Sequence, residues 1–159
     1  MKLVKTIMSS SLFAGALSCL VAVGMTFSTP GVAQAQRGGT ATCGLNTLRG
    51  SYVFDAHGWN IVGGVAVPKA ILEGINFNGD GTLVSPFVTL SINGNIIHSS
   101  GTLGTYTVQA DCTGTLTFAD GNSFDIFVQR DDGKQLWMIQ TVAIFGATPV
   151  FEGTATRVP

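Results

Sequence analysis

The sequence contains little charge and few of the residue patterns on which catalytic and metal sites are built. Only 11% of its residues are Asp, Glu, Lys or Arg, and it has just two histidines, His57 and His98. It has no G-x-S-x-G, H-E-x-x-H or C-x-x-C motif and no phosphate-binding glycine loop. Serine-hydrolase, zinc and nucleotide chemistries therefore have no support in the sequence, and we predict neither a metal nor a cofactor.

Basic residues are scarce as well. The chain carries 8 Lys and Arg against 9 Asp and Glu, and two of the lysines lie in an N-terminal segment that resembles an export signal. Without that segment, 6 basic residues remain and the net charge is about −3. Proteins that bind phosphate-rich partners do so through clusters of Lys and Arg. We therefore expect the mature protein to bind neither nucleic acid nor an anionic membrane surface.

The N-terminal segment predicts export. A basic start is followed by an apolar run over 12–27 and by Ala33-Gln34-Ala35, the small-x-small pattern that signal peptidase recognises. We predict a cleaved signal peptide over 1–35, a linker over 36–42 and one domain over 43–159, secreted or periplasmic and without stable membrane insertion.

Two alternatives to a cleaved signal remain open. A retained membrane anchor would need a longer uninterrupted apolar run than this one, which glycines break. A lipoprotein signal would turn polar after Cys19, whereas the chain stays apolar there.

Cys43 and Cys112 are the two cysteines of the predicted mature chain. In an oxidising compartment two such thiols usually pair, so we predict a disulfide between them. In the loop-entropy model, a bridge over this separation stabilises the fold by roughly 4 kcal/mol.

Polar residues followed by glycine recur along the mature chain and predict hairpin turns. The pairs are Asn78-Gly79 with Asp80-Gly81, Asn93-Gly94, Asp120-Gly121 and Asp132-Gly133. Such pairs favour the positive φ of tight hairpins, and their regular spacing indicates an antiparallel meander. The first, NFNGDGTL, also resembles the start of a calcium loop, but Phe87 replaces the carboxylate at its twelfth position. We therefore interpret it as a turn.

Eight strands fit between these turns. The predicted ranges are 50–60, 69–78, 82–92, 95–110, 112–118, 123–130, 134–144 and 150–158, and we expect the fourth to bend or bulge at Gly101 and Gly104. An open meander leaves two unpaired edges, which closure removes. We predict an all-β fold, a single antiparallel eight-stranded up-and-down barrel whose interior is filled or holds one small ligand. A two-sheet β-sandwich is the alternative.

Four segments cover nearly all of the mature chain and carry a resemblance to known proteins. They are CGLNTLRGSYVF (43–54), INFNGDGTL (75–83), GTYTVQADCTGTLTF (104–118) and FEGTATR (151–157). They resemble a group of small secreted bacterial proteins, the allene oxide cyclase-like or, more loosely, calycin-like β-barrels. The resemblance implies a small barrel with an interior cavity. It rests on turns, strand glycines and the two cysteines, so it implies no catalytic residue.

Titratable residues on the first two predicted strands are the candidates for catalysis. Asp55 and His57 are two residues apart and therefore share a face of the first strand, and Glu73 on the second strand is a candidate neighbour. Inside a barrel, the three would form a general acid–base site with perturbed pKa values. We favour the alternative that Asp55 and His57 face solvent, because the opposite face of that strand is more aromatic.

Four further residues are candidates for ligand contacts. They are Trp59, on the same face as His57, and His98, Tyr106 and Gln140 on later strands. Each is a candidate for the lumen or its rim, and a surface or structural hydrogen-bonding role is the alternative for each.

These observations favour an exported barrel that binds a small apolar or amphipathic ligand in its lumen. A cofactor-free cyclase or isomerase acting on a lipid-like substrate is one alternative, and a structural or interaction protein of the cell envelope is another. The run LWMIQTVAI (136–144) is apolar on both strand faces. Such a strand indicates a covered outer surface and hence a homo-oligomer.

Overall fold

A computed structural model describes residues 42–129, 132–144 and 146–159, and these residues form an all-β structure. A three-residue 3₁₀ turn at Leu45–Thr47 precedes nine strands. The strands are β1 (Arg49–Val62), β2 (Val65–Asn78), β3 (Thr82–Ile92), β4 (Asn95–Ser99), β5 (Thr102–Val108), β6 (Thr113–Phe118), β7 (Ser123–Val128), β8 (Gln135–Val142) and β9 (Thr148–Arg157). The predicted signal peptide, 1–35, lies outside the described residues, and so does the predicted linker except Thr42. Within the described ranges, no helix has the length and hydropathy of a membrane span.

The strands form one closed antiparallel barrel with eight positions around its wall. Strands that follow one another pair along the meander, and β1 also pairs with β9 from Tyr52 to Ile61, which closes the sheet. β4 and β5 both pair with β3 and so share one position in the wall. The predicted eight-stranded up-and-down barrel is confirmed, and the β-sandwich is not formed.

The two largest differences from the predicted strand ranges lie at glycines. β1 and β2 extend to a two-residue turn at Gly63-Gly64, where both residues have positive φ (56° and 82°), so the first hairpin is longer than predicted. The predicted fourth strand, 95–110, is two strands, because the chain breaks at Gly101 with a φ of 76°. Gly104, by contrast, continues β5. The predicted sixth strand ends at Val128, and Arg130 lies outside the described residues.

The predicted hairpin turns are present. Asn93 and Gly94 both have positive φ (51° and 82°) between β3 and β4. In NFNGDGTL, Oδ1 of Asp80 accepts hydrogen bonds from the backbone N–H (2.9 Å) and the hydroxyl (2.7 Å) of Thr82. This carboxylate therefore stabilises the start of β3, as the turn interpretation requires.

One end of the barrel, which we call the closed end, is solidly packed. Leu48, directly after the 3₁₀ turn, is fully buried there. The Tyr106 hydroxyl is 2.9 Å from the carbonyl oxygen of Leu45 and 3.0 Å from that of Leu48. The Phe77 ring packs edge to face against both Tyr106 and Tyr52, each at 5.0 Å between centroids. The 3₁₀ turn therefore plugs this end of the barrel.

A polar clamp and a disulfide hold the plug in place. Tyr52 donates a hydrogen bond to the Gly133 carbonyl, and Arg157 donates to the Tyr52 hydroxyl (2.9 Å) and the Thr47 carbonyl (3.2 Å). The predicted disulfide between Cys43 and Cys112 is confirmed and ties the chain before the plug to the β5–β6 turn. The residues 43–48 are thus fixed to several strands by covalent and hydrogen-bond contacts.

Removal of the disulfide should weaken the fold measurably. The bridge spans 69 residues, so the double variant Cys43→Ala/Cys112→Ala should lose about 4 kcal/mol of unfolding free energy in the loop-entropy model. Urea denaturation monitored by fluorescence gives the value, with reduced wild-type protein as the comparison. Equal midpoints for the oxidised, reduced and double-variant proteins would show that the bridge contributes nothing.

Candidate functional site

The other end of the barrel, the mouth, contains a cavity of about 580 Å³. Its wall is mostly apolar and comes from β2, β3, β4 and the β8–β9 connection, with aromatic rings from β6, β7 and β9. The larger apolar side chains of the lining include Ile71, Val88, Leu90, Ile92, Ile97, Ile144, Phe118, Phe124 and Phe151. A cavity of this volume matches the size range of small-molecule sites.

The cavity ends at a layer of aromatic rings. Phe54 packs edge to face against Phe124 and Phe151, with centroids 5.8 and 6.4 Å apart, and Phe118 packs against Phe124 in the same way. These rings separate the cavity from the packed residues of the closed end. The lumen is therefore a cup with an aromatic floor.

Lys69 reaches across this cup from β2. Its ammonium lies 4.0 Å from the centroid of the Phe151 ring and donates a 2.8 Å hydrogen bond to Oε1 of Gln140 on β8. Gly58, which pairs with both Lys69 and Phe151, has no side chain to occupy the intervening space. A Cβ at Gly58 would lie 2.1 Å from the carbonyl oxygen of Val150, so this position requires glycine.

Side-chain amides connect Lys69 to a carboxylate at the rim. Nε2 of Gln140 donates to Oδ1 of Asn122 (2.8 Å), and Nδ2 of Asn122 donates to Oδ2 of Asp120 (2.8 Å). We call these four residues, Lys69, Gln140, Asn122 and Asp120, the relay. Because Gln140 is 4% exposed and every link is a hydrogen bond, the relay fixes the position of the ammonium inside the lumen.

Burial lowers the pKa of Lys69 to about 8, and the carboxylates of Asp120 and Glu73 partly offset this effect. Lys69 is 9% exposed, so its ammonium loses much of its hydration. Desolvation disfavours the charged form of any ionisable group. A substantial part of the Lys69 population is therefore neutral amine at mildly alkaline pH.

Glu73 faces the same cavity and is 4% exposed. Burial raises its pKa to about 7, and the negative charge of Asp120 adds to this effect. A hydrogen bond with Ser85 and the positive charge of Lys69 act in the opposite direction. At neutral pH, Glu73 therefore exists in both protonation states, which is the condition for a general acid or base.

Asn60 contributes an unpaired acceptor to the cavity. It is the next inward residue of β1 after Gly58 and lines the cavity. Its Oδ1 is buried and has no hydrogen-bond partner among the described residues. An unpaired buried acceptor costs about 1–3 kcal/mol, so a donor group supplied from the lumen would be stabilised here.

The three predicted catalytic residues do not come together. Asp55 and His57 are exposed on the outer face of β1, which confirms the orientation that we favoured from the sequence. Glu73 pairs with the inward residue Phe54 and therefore faces the lumen. The prediction that Glu73 lies next to Asp55 and His57 was wrong, because the aromatic residues of β1 occupy the inner face of that strand and leave Asp55 and His57 on the outer one.

Only part of the predicted ligand-binding set lines the cavity. Trp59 is 49% exposed on the outer face, and His98 is exposed, with Nδ1 3.3 Å from the Thr89 hydroxyl. Tyr106 is buried, but at the closed end, where its hydroxyl holds the plug. Gln140 lines the lumen, which is one of the two positions that the sequence left open for it.

Four residues in or near the cavity were not predicted as site residues from the sequence: Lys69, Ser85, Asp120 and Asn122. The sequence does contain a pattern that would have identified Lys69: it shares strand parity with Ile71, Glu73, Ile75 and Phe77. Two charged residues in an apolar inward series are unusual and mark a lumen site. Asp120 was interpreted as a turn residue and Asn122 was given no role, and their sequence context gives no sign of a functional one.

The outer wall contains an exposed apolar area on β7, β8 and β9. Phe127, Trp137, Ile139 and Val150 are 40–54% exposed there. The strand predicted to be apolar on both faces is therefore present. The homo-oligomer that it indicates stays a prediction. Among the residues that the structure describes, no group of three or more His, Cys, Asp or Glu side chains is placed to hold a metal ion.

Substitution of Glu73 should change how stability depends on pH. Because its folded pKa of about 7 exceeds the ordinary value of 4.5, its contribution is complete below about pH 4.5 and is lost as the pH rises through about 7. The loss is on the order of 3 kcal/mol. The Glu73→Gln variant lacks this titration, so wild type should lose stability relative to the variant over that interval.

Urea denaturation at several pH values measures this difference. The matched control is Glu152→Gln, because Glu152 is exposed on the outer wall. If the difference in unfolding free energy between wild type and Glu73→Gln stays constant with pH, the raised pKa of Glu73 is contradicted.

Comparison of the chain with models of protein families, with curated proteins and with solved structures found no match. The resemblance to allene oxide cyclase-like barrels therefore stays a prediction.

Proposed function

We propose that this protein is an exported β-barrel that binds a small apolar or amphipathic molecule in its lumen. The observation that carries the proposal is the cup: a cavity of about 580 Å³ with an apolar wall, open at one end and closed by packed aromatic rings at the other. Burial of an apolar ligand there is favoured by about 25 cal/mol per Å² removed from water.

The export part of the proposal rests on two observations. The N-terminal sequence has the basic, apolar and small-x-small order of a signal peptide. The Cys43–Cys112 disulfide is consistent with an oxidising compartment. A secreted or periplasmic location accounts for both.

The polar groups of the cavity favour an amphipathic ligand over a pure hydrocarbon. Lys69 has N–H donors beyond the one bound to Gln140, and Asn60 has a buried acceptor without a partner. Glu73 can donate or accept, depending on its protonation state. A ligand with one polar group and an apolar body would satisfy these groups and fill the rest of the cup.

A cofactor-free cyclase or isomerase acting on a lipid-like substrate is the second candidate. Glu73 is the observation that favours it, since a carboxyl group with a pKa of about 7 in an apolar cavity is suited to proton transfer. Glu73 alone would then be the general acid–base group that the sequence assigned jointly to Asp55, His57 and Glu73.

Filling the cup should abolish binding. Ile71 lines the cavity, whereas Leu72, the next residue of β2, is 47% exposed on the outer wall. Ile71→Trp should weaken binding of the uncharged dye N-phenylnaphthylamine at least about tenfold, because the indole occupies the apolar volume that the dye needs. Fluorescence titration of the purified protein measures the dissociation constant.

Leu72→Trp is the matched control, since it adds the same ring to the same strand outside the lumen. It should bind the dye like wild type. Equal dye binding by all three proteins would place the dye on the outer wall and contradict a lumen site. Absence of dye binding to wild type, together with an empty protein in native mass spectra from its own host, would favour the structural or interaction role.

A further inference from the structure

We propose that Lys69 is a nucleophilic amine that forms a reversible imine with an aldehyde or ketone group on the molecule bound in the cup. The inference rests on the proposed lumen-binding function and specifies its ligand class as an apolar carbonyl compound. It is carried by the placement of a buried lysine, which has no carboxylate at salt-bridge distance among the described residues, in the same apolar cavity as an ionisable carboxyl group.

The contacts of Lys69 leave its nitrogen available. Its hydrogen-bond partner, Gln140, is neutral, and its other close contact is the Phe151 ring. Among the described residues, the one ion pair at salt-bridge distance joins the exposed Lys134 to Asp132 at 2.8 Å and does not involve Lys69. A carboxylate in direct contact with a buried lysine holds it as ammonium. The carboxylate of the relay, Asp120, is connected to Lys69 only through the side-chain amides of Gln140 and Asn122.

Desolvation makes the neutral form of Lys69 accessible. The charged and titratable groups that line the cavity with it are Glu73 on the same strand and Asp120 in the β6–β7 turn. Both favour the ammonium form, yet burial outweighs them and lowers the pKa of Lys69 to about 8. Near neutral pH about a tenth of the amine is then neutral, against less than about a thousandth for an ordinary lysine.

The step needs only the amine and the carbonyl. The neutral Nζ attacks the carbonyl carbon and forms a C–N bond, and the carbonyl oxygen takes a proton to give a carbinolamine. The oxygen then leaves as water after a second proton transfer, and the C=N bond of the imine forms. Amine and carbonyl thus give imine and water, with no oxidant or reductant.

Glu73 is positioned to assist this proton transfer. It faces the same cavity as Lys69 and lies two inward positions farther along β2. With a pKa of about 7, it can donate a proton to the departing oxygen and accept one in the reverse reaction. The apolar wall favours the imine further, because it disfavours the water that hydrolyses it.

Reductive trapping tests the proposal. The folded full-length mature protein is incubated near neutral pH with decanal and sodium cyanoborohydride, which reduces an imine to a stable secondary amine. Peptide mass spectrometry then compares alkylation at Lys69 and Lys134. We expect Lys69 to react at least about tenfold faster, because its neutral fraction is larger. In urea, where both lysines are solvated, the two rates should become equal.

Variants separate this inference from the lumen-binding proposal. Lys69→Arg and Lys69→Met should abolish rapid trapping, Lys134→Arg should leave it unchanged, and Glu73→Gln should slow it. Decanol, which cannot form an imine, should still displace N-phenylnaphthylamine from wild type and from Lys134→Arg. If decanol displaces the dye but Lys69 reacts no faster than Lys134, the imine is overturned and lumen binding stands. If neither decanol nor decanal displaces the dye, the lumen-binding function itself fails.

Discussion

The pairing of β1 with β9 is the constraint on which the rest of the structure depends. It joins the first strand to the last and converts a meander with two edges into a closed wall. Closure fixes which side of every strand faces the lumen, since a shift of one residue would exchange the two faces. The inward position of Phe54 on β1 therefore determines that its partner on β2, Glu73, also points inward.

The unusual electrostatics of the lumen follow from this closure. Lys69 and Glu73 lose hydration because the wall surrounds them, and each pKa moves toward the neutral form of its group. Opposite charges would normally reduce this effect by pairing, but the ammonium is held toward Gln140 by the relay. The relay therefore positions the lysine without neutralising it through a direct ion pair, which preserves two groups that titrate near neutral pH.

Much of the fold could be predicted from the sequence, because turn chemistry is local. Asn93-Gly94 and Asp80-Gly81 have positive-φ requirements that a short segment reveals, and the disulfide followed from the cysteine count and the expected compartment. The site was harder, since it depends on pairing between distant strands. Asp55 and His57 were correctly expected outside, but Glu73 could be separated from them only once its register with β1 was known. The relay joins residues from two strands and a turn, and no local pattern predicts such a contact.

The two ends of the barrel differ in how they contribute to stability. Burying Lys69 and Glu73 each costs on the order of 3 kcal/mol, as their pKa displacements indicate. A domain stable by about 5–15 kcal/mol tolerates this only if other contacts compensate. The compensating contacts lie at the closed end, where the plug, the Arg157 clamp and the disulfide bring distant segments together. Because these contacts do not use the mouth, the mouth can keep an unfilled apolar cavity and two poorly solvated ionisable groups. Such an arrangement is difficult to explain by folding alone, and it supports the proposal that the mouth binds a small molecule.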